Sequence, residues 1–210
     1  KFKLRDSYLV KKKEKYYIHF CIDIPESKVY EPNTVYGIDL GLKNPVTLVN
    51  LKTKSTSFLG KQLKQIKGKY YYLRKKLGKE KNIRHIIKNK EYRKVNSLLH
   101  QLSKSIVLQA YKEKAAIMLG CLKNIKKNKG RSFNRRLSGF SHYKLTQFIE
   151  YKAKEKGVPF FKINEAYTSK TCSVCGIIGK RVKNWFRCDC GYEDNADRNA
   201  AFNIGKRGLS

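Results

Sequence analysis

Four cysteines stand in two short knuckles, Cys172-Ser173-Val174-Cys175-Gly176 and Cys188-Asp189-Cys190-Gly191. Paired thiolates on two tight turns supply the tetrahedral set that zinc prefers, and four such ligands leave no position open for water, so a zinc held here is structural. The second pair is separated by one residue instead of two, a departure from the usual spacing. The competing reading is four reduced thiols without metal. Trp185, Phe186 and Arg187 between the knuckles read as packing for such a ribbon, with contact to nucleic acid the alternative. Two acids stand in apolar surroundings. Asp39 lies in the run Val35-Tyr36-Gly37-Ile38-Asp39-Leu40-Gly41, and Asp197 opens Asp197-Arg198-Asn199-Ala200-Ala201-Phe202-Asn203-Ile204. A lone carboxylate in a buried strand is costly unless a partner or a cation meets it. The bland alternative for Asp39 is an acid capping a turn at the strand end.

The elements that must position these residues follow from pattern. Residues 4–10 and 16–24 read as strands, the second with Tyr16, Ile18, Phe20, Ile22 and Ile24 at period two. Pro25 and Pro32 break the chain. Residues 35–41 form a short apolar strand, Leu42-Lys43-Asn44-Pro45 turns it, residues 46–51 return, and a third strand falls near 55–59. Residues 61–114 are helical in pattern and very basic, with Leu98, Leu99, Leu102 and Ile106 at helical spacing and a break at Gly78. The run 115–119 reads as a buried parallel strand. A basic loop spans 123–139, Ser141 caps a helix that runs to Lys156, and Gly157-Val158-Pro159 ends it. Phe160-Phe161-Lys162-Ile163 is a further strand, and a short closing helix begins near Ala196.

Composition narrows the partners. Lys and Arg number 48 against 16 Asp and Glu, a formal net charge of +32, which repels itself strongly without a polyanion bound. Fourteen Tyr and ten Phe interleave with the basic residues, the mixture that holds phosphates and stacks bases. No signal peptide, amphipathic anchor or membrane-length apolar run is present in the sequence. The six cysteines do not form a disulfide framework, since Cys21 and Cys121 lie far from the knuckles; a reducing, intracellular compartment is expected, cytoplasmic or nucleoid-associated. The first residue is Lys1 and the sole methionine is Met118, so a fragment of a longer chain is expected.

The order of elements, three strands, helices, strand, helix, strand, insert and helix, is that of a ribonuclease-H-like α/β layer. Tyr36-Gly37-Ile38-Asp39-Leu40-Gly41-Leu42-Lys43-Asn44 resembles a first RuvC motif. The stretch from Thr168 through Cys190 to Asp197-Arg198-Asn199-Ala200-Ala201-Phe202-Asn203-Ile204 resembles the TnpB family, also called OrfB of small insertion sequences. That family is related to type V CRISPR effector nucleases and to Fanzor proteins, and the resemblance covers residues 30–206. It implies an α/β fold: an RNase H-like RuvC mixed sheet with flanking helices, a basic helical-hairpin insert and a four-cysteine zinc-ribbon insert. The implied organisation is the end of an upstream wedge-like β domain at 1–30, the first part of the RuvC core at 31–166 with its helical insert at 61–114, the ribbon at 167–193, and the closing helix of the core at 194–210. The implied activity is RNA-guided DNA cleavage by three carboxylates and two Mg²⁺ ions, with DNA and guide RNA as partners.

By motif match Asp39 is the first carboxylate and Asp197 the third. The second is usually a Glu before a Leu-Lys-Asn-Ile-like turn. Here that turn is Leu122-Lys123-Asn124-Ile125, and the expected position holds Gly120. Either the domain is a nuclease-inactive nucleic-acid-binding homologue, or the acid has moved. The candidate is Glu165, in Ile163-Asn164-Glu165-Ala166-Tyr167-Thr168-Ser169, and some lineages of the family carry such a rearranged glutamate. Neighbouring strands lie about 4.8 Å apart, roughly the reach of a Glu side chain, and a glycine at the vacated tip leaves it room. A solvated loop position is the competing reading for Glu165. The carboxylate set is therefore Asp39, Glu165 and Asp197, the zinc set Cys172, Cys175, Cys188 and Cys190, with Asp194 a poorer match than Asp197. A purely structural zinc-ribbon scaffold is a third reading, which the charge opposes.

Overall fold

Residues 115–121 are apolar almost throughout, and a strand of that kind is stable only when both its faces are covered. The computed structural model describes residues 3–77, 81–121 and 142–209. Its strands are β1 (Lys3–Leu4), β2 (Tyr8–Lys12), β3 (Lys15–His19), β4 (Ile22–Asp23), β5 (Thr34–Asp39), β6 (Val46–Asn50), β7 (Thr56–Leu59), β8 (Ala115–Cys121), β9 (Phe160–Asn164), β10 (Lys180–Val182), β11 (Trp185–Arg187) and β12 (Glu193–Asn195). Its helices are α1 (Lys61–Lys76), α2 (Lys81–Lys112), α3 (His142–Lys156) and α4 (Ala196–Arg207).

The main sheet has the order β7-β6-β5-β8-β9. β5, β8 and β9 run parallel, while β6 and β7 are antiparallel additions. Side chains of a strand alternate between faces. Tyr36, Ile38, Ile117 and Leu119 accordingly share a core with Leu63, Leu99, Ile106, Leu145 and Ile149 of α1, α2 and α3. Val35, Ala116 and Met118 pack with Ile204 of α4, and Val49 packs with Ala201 and Phe202. Gly37 sets how closely α4 approaches. A Cβ there would stand 2.0 Å from the Ala201 carbonyl oxygen and 2.9 Å from the Gly205 nitrogen, so only glycine lets helix backbone lie against strand backbone.

The N-terminal strands differ from expectation. The runs at 4–10 and 16–24 divide into two short pairs, β1 with β4 and β2 with β3. The period-two alternation is present, yet Tyr8, Tyr16, Ile18 and Phe20 are 59%, 63%, 59% and 65% exposed. Two strands cannot cover a face by themselves. The expected break at Gly78, the turn at 122–125, the basic loop at 123–139 and the cap at Ser141 lie outside the described residues. No helix among the described residues is long and apolar enough to cross a membrane.

Candidate active site

Parallel strands deliver their C-terminal ends to one edge of a sheet, where open α/β folds place their sites. Asp39 is the last residue of β5, and Glu165 immediately follows β9. Asp197 stands in the first turn of α4, whose N-cap Asn195 accepts hydrogen bonds from the Asp197 and Arg198 backbone N–H groups. The three carboxylates line one cavity of about 460 Å³, together with residues 40–43, 166–169 and Arg181.

Glu165 gets there by crossing a neighbouring strand. β8 and β9 pair with Gly120 opposite Ile163 and Cys121 opposite Asn164. A Cβ built on Gly120 would lie 2.5 Å from Glu165 Oε2 and 2.7 Å from Ile204 Cδ1. The glutamate carboxylate thus occupies the space that any side chain at 120 would need. Glu165 is half-buried, not solvated.

The electrostatics follow from crowding acids into a partly enclosed site. Burial pushes the Asp39 carboxyl up to about 8, helped by the Glu165 and Asp197 carboxylates and opposed by Arg181. Burial alone pushes Glu165 up to about 7. Asp197 is held differently. Its Oδ2 accepts a hydrogen bond from Asn44 Nδ2 at 2.9 Å, and its Oδ1 accepts one from Arg181 Nη2 at 3.2 Å. Among the described residues Glu165 Oε2 is buried with no hydrogen-bond partner. An unpaired buried acceptor costs about 1–3 kcal/mol. A hard cation would remove that cost, and an all-oxygen donor set suits Mg²⁺ or Mn²⁺. Asp194 takes no part; it accepts from Tyr192 Oη at 2.6 Å and pairs with Arg198.

The four knuckle cysteines converge, each sulfur within 4.8 Å of the others. They are free thiols, with Cys172 and Cys188 buried and Cys175 and Cys190 exposed. The Gly176 N–H closes the first knuckle onto the Cys172 carbonyl at 3.0 Å, and the Gly191 N–H closes the second onto Cys188, also at 3.0 Å. The second turn is one residue tighter, which accommodates the shorter spacing. Strands β10, β11 and β12 form a three-stranded antiparallel sheet beside the cluster. Phe186 is fully buried there with Cys172, Cys188 and Ala196, whereas Trp185 and Arg187 are exposed. β10 carries Arg181 to the acid cavity, so the two clusters are joined through one side chain.

The chain is 31% identical over 206 residues to the TnpB-like protein MJ0751 of Methanocaldococcus jannaschii, covering 89% of this chain and 74% of that protein. This chain belongs to the TnpB-like family. The family described as Cas12f1-like, TNB domain, matches residues 142–204, which hold both knuckles, Glu165 and Asp197. The chain is also similar to the CRISPR-associated endodeoxyribonuclease Cas12f1 of Sulfoacidibacillus thermotolerans, 34% identical over 218 residues. That match covers 92% of this chain and half of the Cas12f1 length. A chain of the cryo-EM structure of the Cas12f1-sgRNA-target DNA complex superposes with a TM-score of 0.71 at 26% identity, over 96% of this chain and 56% of that one. The mixed α/β architecture with its mixed sheet is therefore shared with solved members of the wider group.

Two contributors were not singled out by sequence reasoning. Asn44 lies in the first motif but had no role there, and Arg181 is one of 48 basic residues. The turn at 42–45 places Asn44 beside Asp197, and only the folding back of β10 distinguishes Arg181.

Proposed function

We propose that this TnpB-like chain is the catalytic part of an RNA-guided DNA endonuclease, with guide RNA and DNA as partners. The observation that carries the reading is the meeting of Asp39, Glu165 and Asp197 in one cavity, with Glu165 filling the place emptied at Gly120. The strand order, three antiparallel strands followed by two parallel ones, supports assigning the sheet as an RNase H-like RuvC core. In that assignment α1 and α2 are the helical insert, residues 167–193 a zinc ribbon, α4 the closing helix, and the N-terminal pairs the end of a wedge-like domain. The four thiols fit one structural Zn²⁺.

Asp39, Glu165 and Asp197 would hold two Mg²⁺ ions. When bound, such a pair supplies acidity to the attacking water and neutralises charge on the leaving oxygen during phosphodiester hydrolysis. The chain's own residues do the rest. Asp39, whose carboxyl feels both Glu165 and Asp197, would share with each of them in holding the ions. Asn44 orients Asp197 by donating to Oδ2, leaving Oδ1 to Arg181. Arg181 offsets part of the acid charge, and its partly exposed guanidinium is placed to meet a phosphate at the cavity mouth. The basic surface attracts the polyanion and makes its binding salt-sensitive.

The test is cleavage of matched DNA by the natural full-length protein with its guide RNA in Mg²⁺. Loss of cutting in Asp39→Ala, Glu165→Ala and Asp197→Ala alike is expected. Retained cutting in Glu165→Ala would overturn the assignment of the second acid. A wild-type complex that binds but never cuts would make this a nuclease-inactive nucleic-acid-binding homologue.

A further inference from the structure

Glu165 sits outside any strand, and its Oε2 has no hydrogen-bond partner among the described residues, so the backbone around it must set its place. The loop at 164–171 is tied to α4 by a stripe of donors at four-residue spacing, Asn199, Asn203 and Arg207, which lie on one face of the helix. Asn199 Nδ2 donates to the Thr171 carbonyl at 2.7 Å. Asn203 Nδ2 donates to the Thr168 carbonyl at 2.8 Å and to the Thr171 carbonyl at 2.6 Å. Arg207 Nη1 donates to the Asn164 carbonyl at 2.6 Å and to the Ala166 carbonyl at 3.0 Å. Those are the two residues flanking Glu165. The Glu165 carbonyl itself accepts from Thr168, from N–H at 3.2 Å and Oγ1 at 2.9 Å.

We infer that Arg207 is a positioning residue for Glu165: its guanidinium clamps the peptide groups on either side of the glutamate and fixes the height at which the side chain crosses Gly120. The inference rests on the reading of Glu165 as a metal ligand. α4 then acts as a ruler. It carries Asp197 in its first turn and the clamp for Glu165 in its last, so one rigid helix sets the separation of two acids that are remote in sequence. A guanidinium suits the task because it is rigid, always charged and donates in a plane. Arg207 is itself exposed, so removing it leaves no void in the core.

The experiment measures Mn²⁺ affinity of this chain by electron paramagnetic resonance of the free ion, in wild type, Arg207→Ala, Arg207→Lys, Glu165→Ala and the Arg207→Ala/Glu165→Ala double variant. Thermal melting of each variant checks folding. Arg207→Ala is expected to weaken Mn²⁺ binding roughly tenfold, and Arg207→Lys by about two- to threefold, since two charge-assisted bonds are lost or degraded. In the Glu165→Ala background Arg207→Ala is expected to add nothing, because the clamp then holds no ligand. An Arg207→Ala affinity within twofold of wild type, with Glu165→Ala clearly weakened, would overturn the clamp alone. An equal loss in both backgrounds would make Arg207 a general structural residue and also overturn it. Unchanged affinity in Glu165→Ala would remove the assignment of Glu165 as a ligand, and the clamp with it.

Discussion

The two clusters of ligand-type residues in this molecule are assembled in opposite ways. The four thiols come from residues 172–190 and are brought together by two local turns and a three-stranded sheet. The three carboxylates come from residues 39, 165 and 197 and meet only because β5, β9 and α4 pack around one sheet edge. The first cluster lacks an extended core, with Phe186 its one fully buried large side chain. The second stands on the main core and burdens it with mutual repulsion. A ligand set that is local holds its own fold together, whereas a set drawn from the whole chain depends on a fold that exists without it.

The sharpest way to break that contrast is to remove the zinc proposed for the four thiols. Structural zinc contributes an apparent 10–16 kcal/mol to small fingers, and so chelation, or Cys172→Ser, is expected to abolish protection of amides at 171–195 while those of Ile117 and Leu119 stay protected. Hydrogen exchange read by mass spectrometry checks this, and uniform loss across both regions would contradict it. Next in size are the carboxylates. Asp39→Ala, Glu165→Ala and Asp197→Ala are each expected to lower cleavage by the full-length complex by about 10³ or more, since each removes charge that the transition state requires. Their melting temperatures should fall by no more than a few degrees.

Gly120→Ala sharpens the comparison by moving one acid without deleting it. The new methyl group meets Glu165 Oε2 at 2.5 Å, and the side chain must give way. Misplacement on this scale is expected to reduce cleavage about 10- to 100-fold at unchanged zinc content. Gly120→Glu extends the test. A gain of cleavage over wild type would mean that Glu165 does not supply the second acid.

The acid site should also be proton-linked. With Asp39 pushed up to about 8 and Glu165 to about 7, cations must displace protons below those values. Mn²⁺ affinity is therefore expected to rise from pH 6 to 8, by up to about tenfold per pH unit for each proton released, and calorimetry in buffers of different ionisation heat counts those protons. The smallest effect is on stability. A carboxyl whose folded pKa is raised contributes stability below its unfolded value and loses it as pH rises through the folded one. In metal-free protein that window for Asp39 runs from about 4 to about 8. Asp39→Asn removes the ionisation and is expected to stabilise metal-free protein at pH 8 by about 1–2 kcal/mol while preventing metal binding. Equal melting of the two proteins at pH 8 would count against a strained acid cluster.

The sequence by itself determined whatever rests on short-range pattern. The knuckle spacing announces four convergent thiols, because turns of fixed geometry bring nearby residues together. The apolar runs at 35–41, 46–51 and 115–119 announce strands, and the strands form there. Asp39 and Asp197 were legible because an acid in an apolar frame needs a reason. Tertiary structure alone decided the rest. The β2–β3 hairpin shows why alternation is not burial: its period is correct, and no layer among the described residues covers either face. Arg181 could not be told from other basic residues until β10 turned it toward Asp197. That Gly120 and Glu165 contend for one volume depends on the parallel register that sets Gly120 opposite Ile163, and that register is fixed by packing between strands far apart in the sequence. The hold of Arg207 on both sides of Glu165 likewise exists only once α4 lies flat on Gly37.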